Sequence, residues 1–228
     1  SAFELNYVKN WDNHTLSASM YYRFTDDVIQ NVNFMRNNVM ESTFMNLTKQ
    51  QNTGLELVAK NRLFKIVNLT SSVNLYYAKL HEATYQDPFN SAVNVKIPGN
   101  ENFSWDTRVI ANLMLSRTFS AQVTGMYSAP QVMAQGERAE DFSVDLGLRK
   151  TFLDKKFSLN VMVRDLLNSR KMGSTSWGDG FYQVSENRFS GRMIGFTVTY
   201  NFGNMKPKPS GKKNGNTGES VDEGMDME

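Results

Sequence analysis

A chain of 228 residues that is 40% hydrophobic, 12% aromatic and only 21% charged can bury one sizeable domain and is too apolar to remain disordered throughout. A formal charge of +2 with no concentrated basic face gives no reason to expect a nucleic-acid or polyanion partner, and the absence of cysteine excludes a disulfide scaffold, a thiolate metal site and cysteine catalysis. No apolar run approaches the roughly 18 residues of a membrane helix, and the opening SAFELNYVKN lacks the basic start and apolar block of a signal peptide. Any membrane role therefore falls to strands, and an export signal is expected upstream.

One unit recurs along the chain: about ten residues of strict apolar/polar alternation, with aromatics near the ends. It begins at 2–9 (AFELNYVK). It returns at 14–24, where Leu16, Ala18, Met20, Tyr22 and Phe24 share one face and Thr15, Ser17, Ser19, Tyr21 and Arg23 the other. A third strand lies within 43–60, clearest in TGLELVAK, and a fourth at 65–78 opposes Val67, Leu69, Val73, Leu75 and Tyr77 to Asn68, Thr70, Ser72, Asn74 and Tyr76. Further strands are expected at 104–116, 119–129, 141–152, 157–166 and 192–202, which makes nine. The connections alternate in length. Short turns sit at 11–14, 60–65, 116–119 and 153–156, and long polar connections at 25–42, 80–103, 129–140 and 168–190.

Tight turns at one rim and long loops at the other form the pattern of an antiparallel meander in a transmembrane β-barrel. A soluble barrel or sandwich has the same period, so the composition of the polar face has to decide which side meets water. That face is built of Ser, Thr, Asn, Gln and Gly with a few Arg and Asp, where a water-exposed exterior would be rich in Lys and Glu. It suits a hydrated lumen. The apolar face carries Tyr22, Phe24, Tyr77, Trp105, Tyr127 and Phe142 toward the long-loop rim, and Phe119, Phe152, Phe157, Tyr200 and Phe202 toward the short-turn rim. Two such belts are expected where rings settle at headgroup level. Eleven residues at about 3.3 Å each, tilted about 45°, span roughly 25 Å, the height of the apolar band of such barrels.

Three segments carry a resemblance. GFTVTYNFG (195–203) resembles the terminal strand of outer-membrane barrels, which ends in an aromatic. FSLNVMVRDLLNSRK (157–171) is similar to the segment before the last long loop of TonB-dependent receptors, and NTGLELVAKNRLFKIVNLTSSVNLYYA (52–78) to their recurrent hairpin through a short periplasmic turn. Together they resemble the C-terminal barrel part of a TonB-dependent outer-membrane receptor of the Bacteroidetes type, over nearly all of 1–203. The resemblance implies a 22-stranded barrel, an N-terminal plug, a TonB box and outer loops that capture a scarce or bulky solute such as a siderophore, cobalamin, an oligosaccharide or a peptide. The implied partners are outer-membrane lipid, the barrel-assembly machinery, the TonB complex acting through the plug, and a surface lipoprotein.

Nothing in the sequence matches a plug, and nine is an odd count where bacterial single-chain barrels close with an even one. The expectation is that 1–203 are the last nine strands of a larger all-β antiparallel barrel, with the long loops outside the cell. Residues 204–228 hold Pro, Gly and opposed charges with almost no apolar side chains, and are expected to be a disordered, charged, periplasmic tail. On the same resemblance Phe196, Val198, Tyr200 and Phe202 form the strand read by the assembly machinery.

Chemistry is sparse. The histidines are His14 and His81; HEATY sets Glu82 beside His81 but offers no second histidine four residues on, so a zinc-protease reading fails. There is no nucleophile elbow or phosphate-binding glycine loop, and Asp26 with Asp27 lacks calcium-loop spacing. No cofactor or metal is expected and no enzymatic activity, His81 with Glu82 or Asp87 being the one conceivable hydrolase constellation. Arg23, Asp106, Arg108, Asp145, Arg149 and Arg164 should point into the lumen, to contact a plug, to line a solute path or to form cross-strand charge pairs. Tyr85, Phe89, Trp177, Phe181 and Tyr182 are loop aromatics that could stack on a ligand or pack the loops together. A passive pore without TonB coupling is the alternative function.

Overall fold

The computed structural model describes residues 1–87, 90–188 and 191–202. Among them fifteen strands follow one another: β1 (Ala2–Trp11), β2 (His14–Arg36), β3 (Val39–Leu63), β4 (Val67–Leu80), β5 (Ala83–Asp87), β6 (Asn90–Ile97), β7 (Asn100–Ser116), β8 (Phe119–Ser128), β9 (Gln131–Met133), β10 (Gly136–Arg138), β11 (Asp141–Phe152), β12 (Phe157–Arg164), β13 (Met172–Gly178), β14 (Phe181–Asn187) and β15 (Met193–Tyr200). Nine of them form one antiparallel sheet in the order β1-β2-β3-β4-β7-β8-β11-β12-β15. These are the nine strands that the alternation announces. They are joined at one rim by the short turns expected there, where Phe64, Lys65, Leu153, Asp154 and Lys155 take positive φ to reverse the chain in few residues.

The register separates two faces. Leu5, Met20, Leu55, Leu75 and Trp105 form one continuous cross-strand row, and Leu113, Ala121, Leu148, Val161 and Phe196 form another through the later strands. These side chains find no core behind them: Leu5 is 72% exposed, Met20 59%, Phe103 60% and Phe196 70%. A water-bathed sheet would not leave such a band bare. The opposite face is polar: Asn68 of β4, Gln122 of β8, Asn160 of β12 and Thr197 of β15 lie on it by register. The sheet is not closed: among the described residues β1 pairs only with β2, and β15 only with β12.

The connections at the other rim differ from the long irregular loops expected. Residues 25–42 are ladder rather than loop, because β2 and β3 stay paired as far as Arg36 with Val39 and turn through Asn37 and Asn38 at φ 49° and 60°. Asparagine tolerates the left-handed region, which a two-residue hairpin turn requires. Part-way up, Asp27 at φ 53° and two register shifts mark a bulge on each strand. One extra residue exchanges the faces of all that follows, so Val32 and Phe34 leave the phase of the bare apolar face and turn inward. Segments 80–103, 129–140 and 168–190 likewise contain the hairpins β5–β6, β9–β10 and β13–β14. Strands β9, β10, β13 and β14 make a second sheet, in the order β14-β13-β10-β9.

The buried core lies among these hairpins, at the end of the nine-stranded sheet where β2 and β3 extend past their neighbours. Val32 and Phe34 pack with Tyr85, Val95, Ile97 and Ala134, and Met45 joins at the edge. The β9–β10 hairpin is held by Asn100, whose side-chain amide donates to the carbonyls of Met133 and Gly136 at 3.1 and 2.9 Å. The long-loop rim thus carries a packed cap.

Candidate functional site

The polar face begins with Tyr21. Its neighbour on β3 is Gly54, where a Cβ would fall 2.5 Å from the Tyr21 ring and hydroxyl and 2.8 Å from the Leu75 carbonyl. The missing side chain lets the ring lie across β3, so that Tyr21 Oη donates to Asn74 Oδ1 at 3.0 Å on β4. Asn74 passes the chain on, its Nδ2 donating to Asp106 Oδ2 at 3.1 Å on β7. The guanidinium of Arg23 sits 4.6 Å from the centre of the Tyr21 ring. With Gln50, Asn52 and Tyr76 these groups line a niche of about 260 Å³, roofed by Gln131 and Val132 of the cap.

All six charged residues expected on the polar face lie on it by register. They are not joined by the cross-strand charge pairs that residue type suggests. Asp106 takes the Asn74 amide, and Arg108 Nη2 meets Met126 Sδ at 3.2 Å. Asp145 accepts the backbone N–H of Asp165 at 2.8 Å, and none of the ion pairs among the described residues includes any of the six. The reason is spacing along the ladder: Arg149 faces Ser120 and Asn160 across its strand neighbours, and Asp106 faces Asn74 and Ser128.

The loop aromatics divide. Tyr85 is buried and tilts against Phe34 with ring centres 5.7 Å apart, so it packs the cap. Phe181 lies over Gly178, where a Cβ would come within 2.3 Å of the ring. Trp177 pairs in register with Tyr182 across the β13–β14 hairpin, and the Tyr182 ring is 72% exposed. Phe89 and residues 204–228 lie outside the described residues, as does the Asp87 side chain. His14 contacts Asn61 Oδ1 at 2.8 Å in its turn, while the His81 backbone donates to the Lys49 carbonyl at 3.0 Å. Among the described residues no group of three histidine or acidic side chains is placed to hold a metal ion.

Sequence reasoning missed the residues that tie the cap together. Gln135 is buried; its side chain accepts from the Asn33 backbone N–H at 2.7 Å and donates to the Asn33 carbonyl at 3.0 Å. Its own carbonyl takes the Trp177 N–H at 3.0 Å, so one glutamine joins three hairpins. It also missed Asp165, buried at positive φ, whose carboxylate accepts the backbone N–H groups of Ser169 and Arg170. The signal for that turn was present in RDLLNSR, since Asp165 and Asn168 are residue types that accept φ near 50°.

Residues 1–200 match the model of the outer membrane protein beta-barrel family. The chain belongs to that family. No match was found among curated proteins or among solved structures. Membership places this outer-membrane barrel protein in the outer membrane and gives the two faces their solvents: the bare apolar face meets lipid, and the polar face is the hydrated one. The aromatics then mark the two interfaces of the barrel wall. Trp105 and Tyr127 pack at 4.7 Å toward the cap, and Phe152 and Phe157 at 5.7 Å toward the short turns. Phe196, Val198 and Tyr200 lie on the lipid face of β15. Phe202 follows beyond the end of the ladder, its ring 5.9 Å from that of Tyr200.

Proposed function

We propose that this barrel wall belongs to a TonB-dependent outer-membrane receptor that takes up a scarce or bulky solute: a siderophore, cobalamin, an oligosaccharide or a peptide. The observation that carries the reading is the cap. The hairpins at one rim share a buried core and are cross-bonded through Gln135, and Gln131 and Val132 overhang the polar niche. A passive pore works best with an open mouth, whereas a receptor gains from surface loops ordered on a rigid wall before ligand arrives.

In this reading the cap faces the outside of the cell, the short turns and residues 204–228 the periplasm, and the wall performs no reaction and needs no cofactor. Energy comes from the TonB complex through a plug inside the barrel, which Arg23, Asp106 and the other charged residues of the polar face contact. Outer-membrane lipid surrounds the wall, the barrel-assembly machinery inserts it, and a surface lipoprotein covers the cap. No nucleic acid takes part. The test is uptake of iron chelates, cobalamin, oligosaccharides and peptides by cells expressing the full gene, with and without TonB. Uptake of one class that stops when TonB is deleted, with surface binding retained, supports the reading. Uptake that continues without TonB replaces it with a passive pore.

A further inference from the structure

A second crevice opens on the polar side of the rim, between the β9–β10 hairpin, the start of β11 and the entry to β13. Its volume is about 400 Å³, and Gln131, Arg138, Asp141, Arg170, Lys171 and Met172 contribute to its lining. Three cations against one carboxylate is an unusual balance for a hollow in a wall otherwise rich in hydroxyls and amides.

The cations are placed by the fold. The Arg170 backbone N–H donates to both carboxylate oxygens of Asp165 at 3.2 Å, and its guanidinium Nη2 donates to Ser143 Oγ at 2.9 Å. Ser143 is fully buried, so the arginine is aimed by a fixed hydroxyl. The Lys171 backbone N–H donates to Asp141 Oδ1 at 3.2 Å. Gly173 brings β13 against the hairpin, since a Cβ there would stand 2.9 Å from that of Ala139, and Ala139 N–H donates to the Gly173 carbonyl at 2.9 Å.

The nearby carboxylates are occupied. Asp165 spends its oxygens on backbone N–H groups and the Ser169 hydroxyl, and Asp141 accepts from the Lys171 backbone. Neither Arg138 nor Arg170 takes part in an ion pair among the described residues, and Lys171 Nζ meets Glu186 only at 3.8 Å. Two guanidiniums in no ion pair among the described residues, facing a hollow whose cations outnumber its one carboxylate, Asp141, suit a planar or tetrahedral oxyanion held by paired hydrogen bonds.

We propose that the crevice between Arg138 and Arg170 is an anion subsite that holds a carboxylate or phosphate group of the incoming solute. The subsite rests on the receptor reading for its purpose and adds a substrate class to it: an anionic solute. Because Ser143 and Asp141 belong to the polar face, the oxyanion comes from a solute in the mouth of the barrel and not from a lipid headgroup on the opposite face.

The test uses the full protein in detergent micelles, with citrate and inorganic phosphate as probes, titrated by calorimetry at two salt concentrations. A parallel titration with phosphate-bearing lipid in mixed micelles separates the two sources. Expected is citrate or phosphate binding that weakens with salt, falls at least about tenfold in Arg138→Gln and is lost in Arg138→Gln with Arg170→Gln. The Arg138 side chain is exposed and takes part in no hydrogen bond or ion pair among the described residues, so a glutamine there keeps the β10 ladder and leaves folding intact, which the thermal transition checks. No binding of either probe to the wild type overturns the subsite, as does equal binding by the variants or binding of the lipid alone. Binding is read without TonB, so a barrel that binds citrate yet imports without TonB sinks the receptor reading and leaves the subsite standing.

Discussion

Alanine at position 54 tests the polar wall at its tightest contact. The new methyl would lie 2.5 Å from the Tyr21 ring and 2.8 Å from the Leu75 carbonyl, and only the first of these neighbours can swing away. Swinging it breaks the Tyr21–Asn74 hydrogen bond. Overpacking of this kind costs about 1–3 kcal/mol, and a hydrogen bond of this kind about 0.5–1.5 kcal/mol. Removing a glycine from a strand returns about 0.5–1 kcal/mol, so the net loss for Gly54→Ala is about 2 kcal/mol. Tyr21→Phe, which loses the hydrogen bond alone, should cost about 1 kcal/mol. The assay is urea unfolding of the full protein in lipid vesicles, followed by tryptophan fluorescence. With Tyr21→Ala in the background the glycine substitution should cost at least about 1 kcal/mol less, because the ring is gone and only the Leu75 carbonyl remains in the way. If Gly54→Ala stays within about 0.5 kcal/mol of wild type, the close approach of Tyr21 to β3 is wrong.

Three further outcomes follow from the same geometry. Gln135→Ala removes two hydrogen bonds worth about 1 kcal/mol each, so amide exchange at Asn33 and along the tip of β2–β3 should accelerate while the wall strands keep their protection; unchanged exchange would mean the cap holds without the glutamine. Phe202→Ala should cut outer-membrane yield sharply and deletion of 204–228 should leave it nearly unchanged, measured by heat-modifiable mobility of membrane fractions, and a reversed pair of outcomes would assign the assembly signal to the tail. Glu101 sits at the cap end of β7, four residues before the belt ring of Trp105, and its carboxyl is held below the usual carboxylate range by a hydrogen bond from Lys79, 2.8 Å away, and then by Tyr77. A lowered folded pKa contributes stability above the ordinary carboxyl value, and that contribution is lost as pH falls through the lowered one. Wild type should therefore lose unfolding resistance more steeply than Glu101→Gln on the acid side alone; parallel acid limbs would remove the pair from the account.

The wall was legible because each strand obeys one period and one face. In β4 the alternation of Val67, Leu69, Val73, Leu75 and Tyr77 with amides and hydroxyls is interrupted only by Ser71 on the apolar side, and the ladder with β3 and β7 follows it residue by residue. The cap was not legible for the same reason in reverse. Above Phe24 the bulge at Asp27 shifts the phase, so the apolar residues of VIQNVNF no longer continue the earlier face and read as a polar connection. A Val32 or Phe34 becomes core only when Tyr85, Val95 and Ile97 arrive from another hairpin, and nothing local to either segment announces the meeting. Gln135 is the extreme case: its partner Asn33 is 102 positions away, and a glutamine between Ala134 and Gly136 has no period to belong to. The six charged residues of the polar face were placed by parity, while their partners were not, because the partner of a side chain depends on which strand lies beside it and at what stagger.

The central claim is that one face of the nine-stranded sheet meets lipid and the other meets water, and the absence of native cysteine makes it directly measurable. Ala111 and Val123 are register partners on the apolar face, and Asn112 and Gln122 are register partners on the polar face, in the middle of β7 and β8. Single substitutions Ala111→Cys, Val123→Cys, Asn112→Cys and Gln122→Cys, each introducing one thiol into these cysteine-free strands, are exposed in intact outer membranes to a charged maleimide and to a lipid-soluble one, with the unsubstituted protein as the background. The account predicts that the charged reagent labels Asn112→Cys and Gln122→Cys while Ala111→Cys and Val123→Cys react only with the lipid-soluble reagent. Labelling of all four by the charged reagent, or the opposite division, would contradict it.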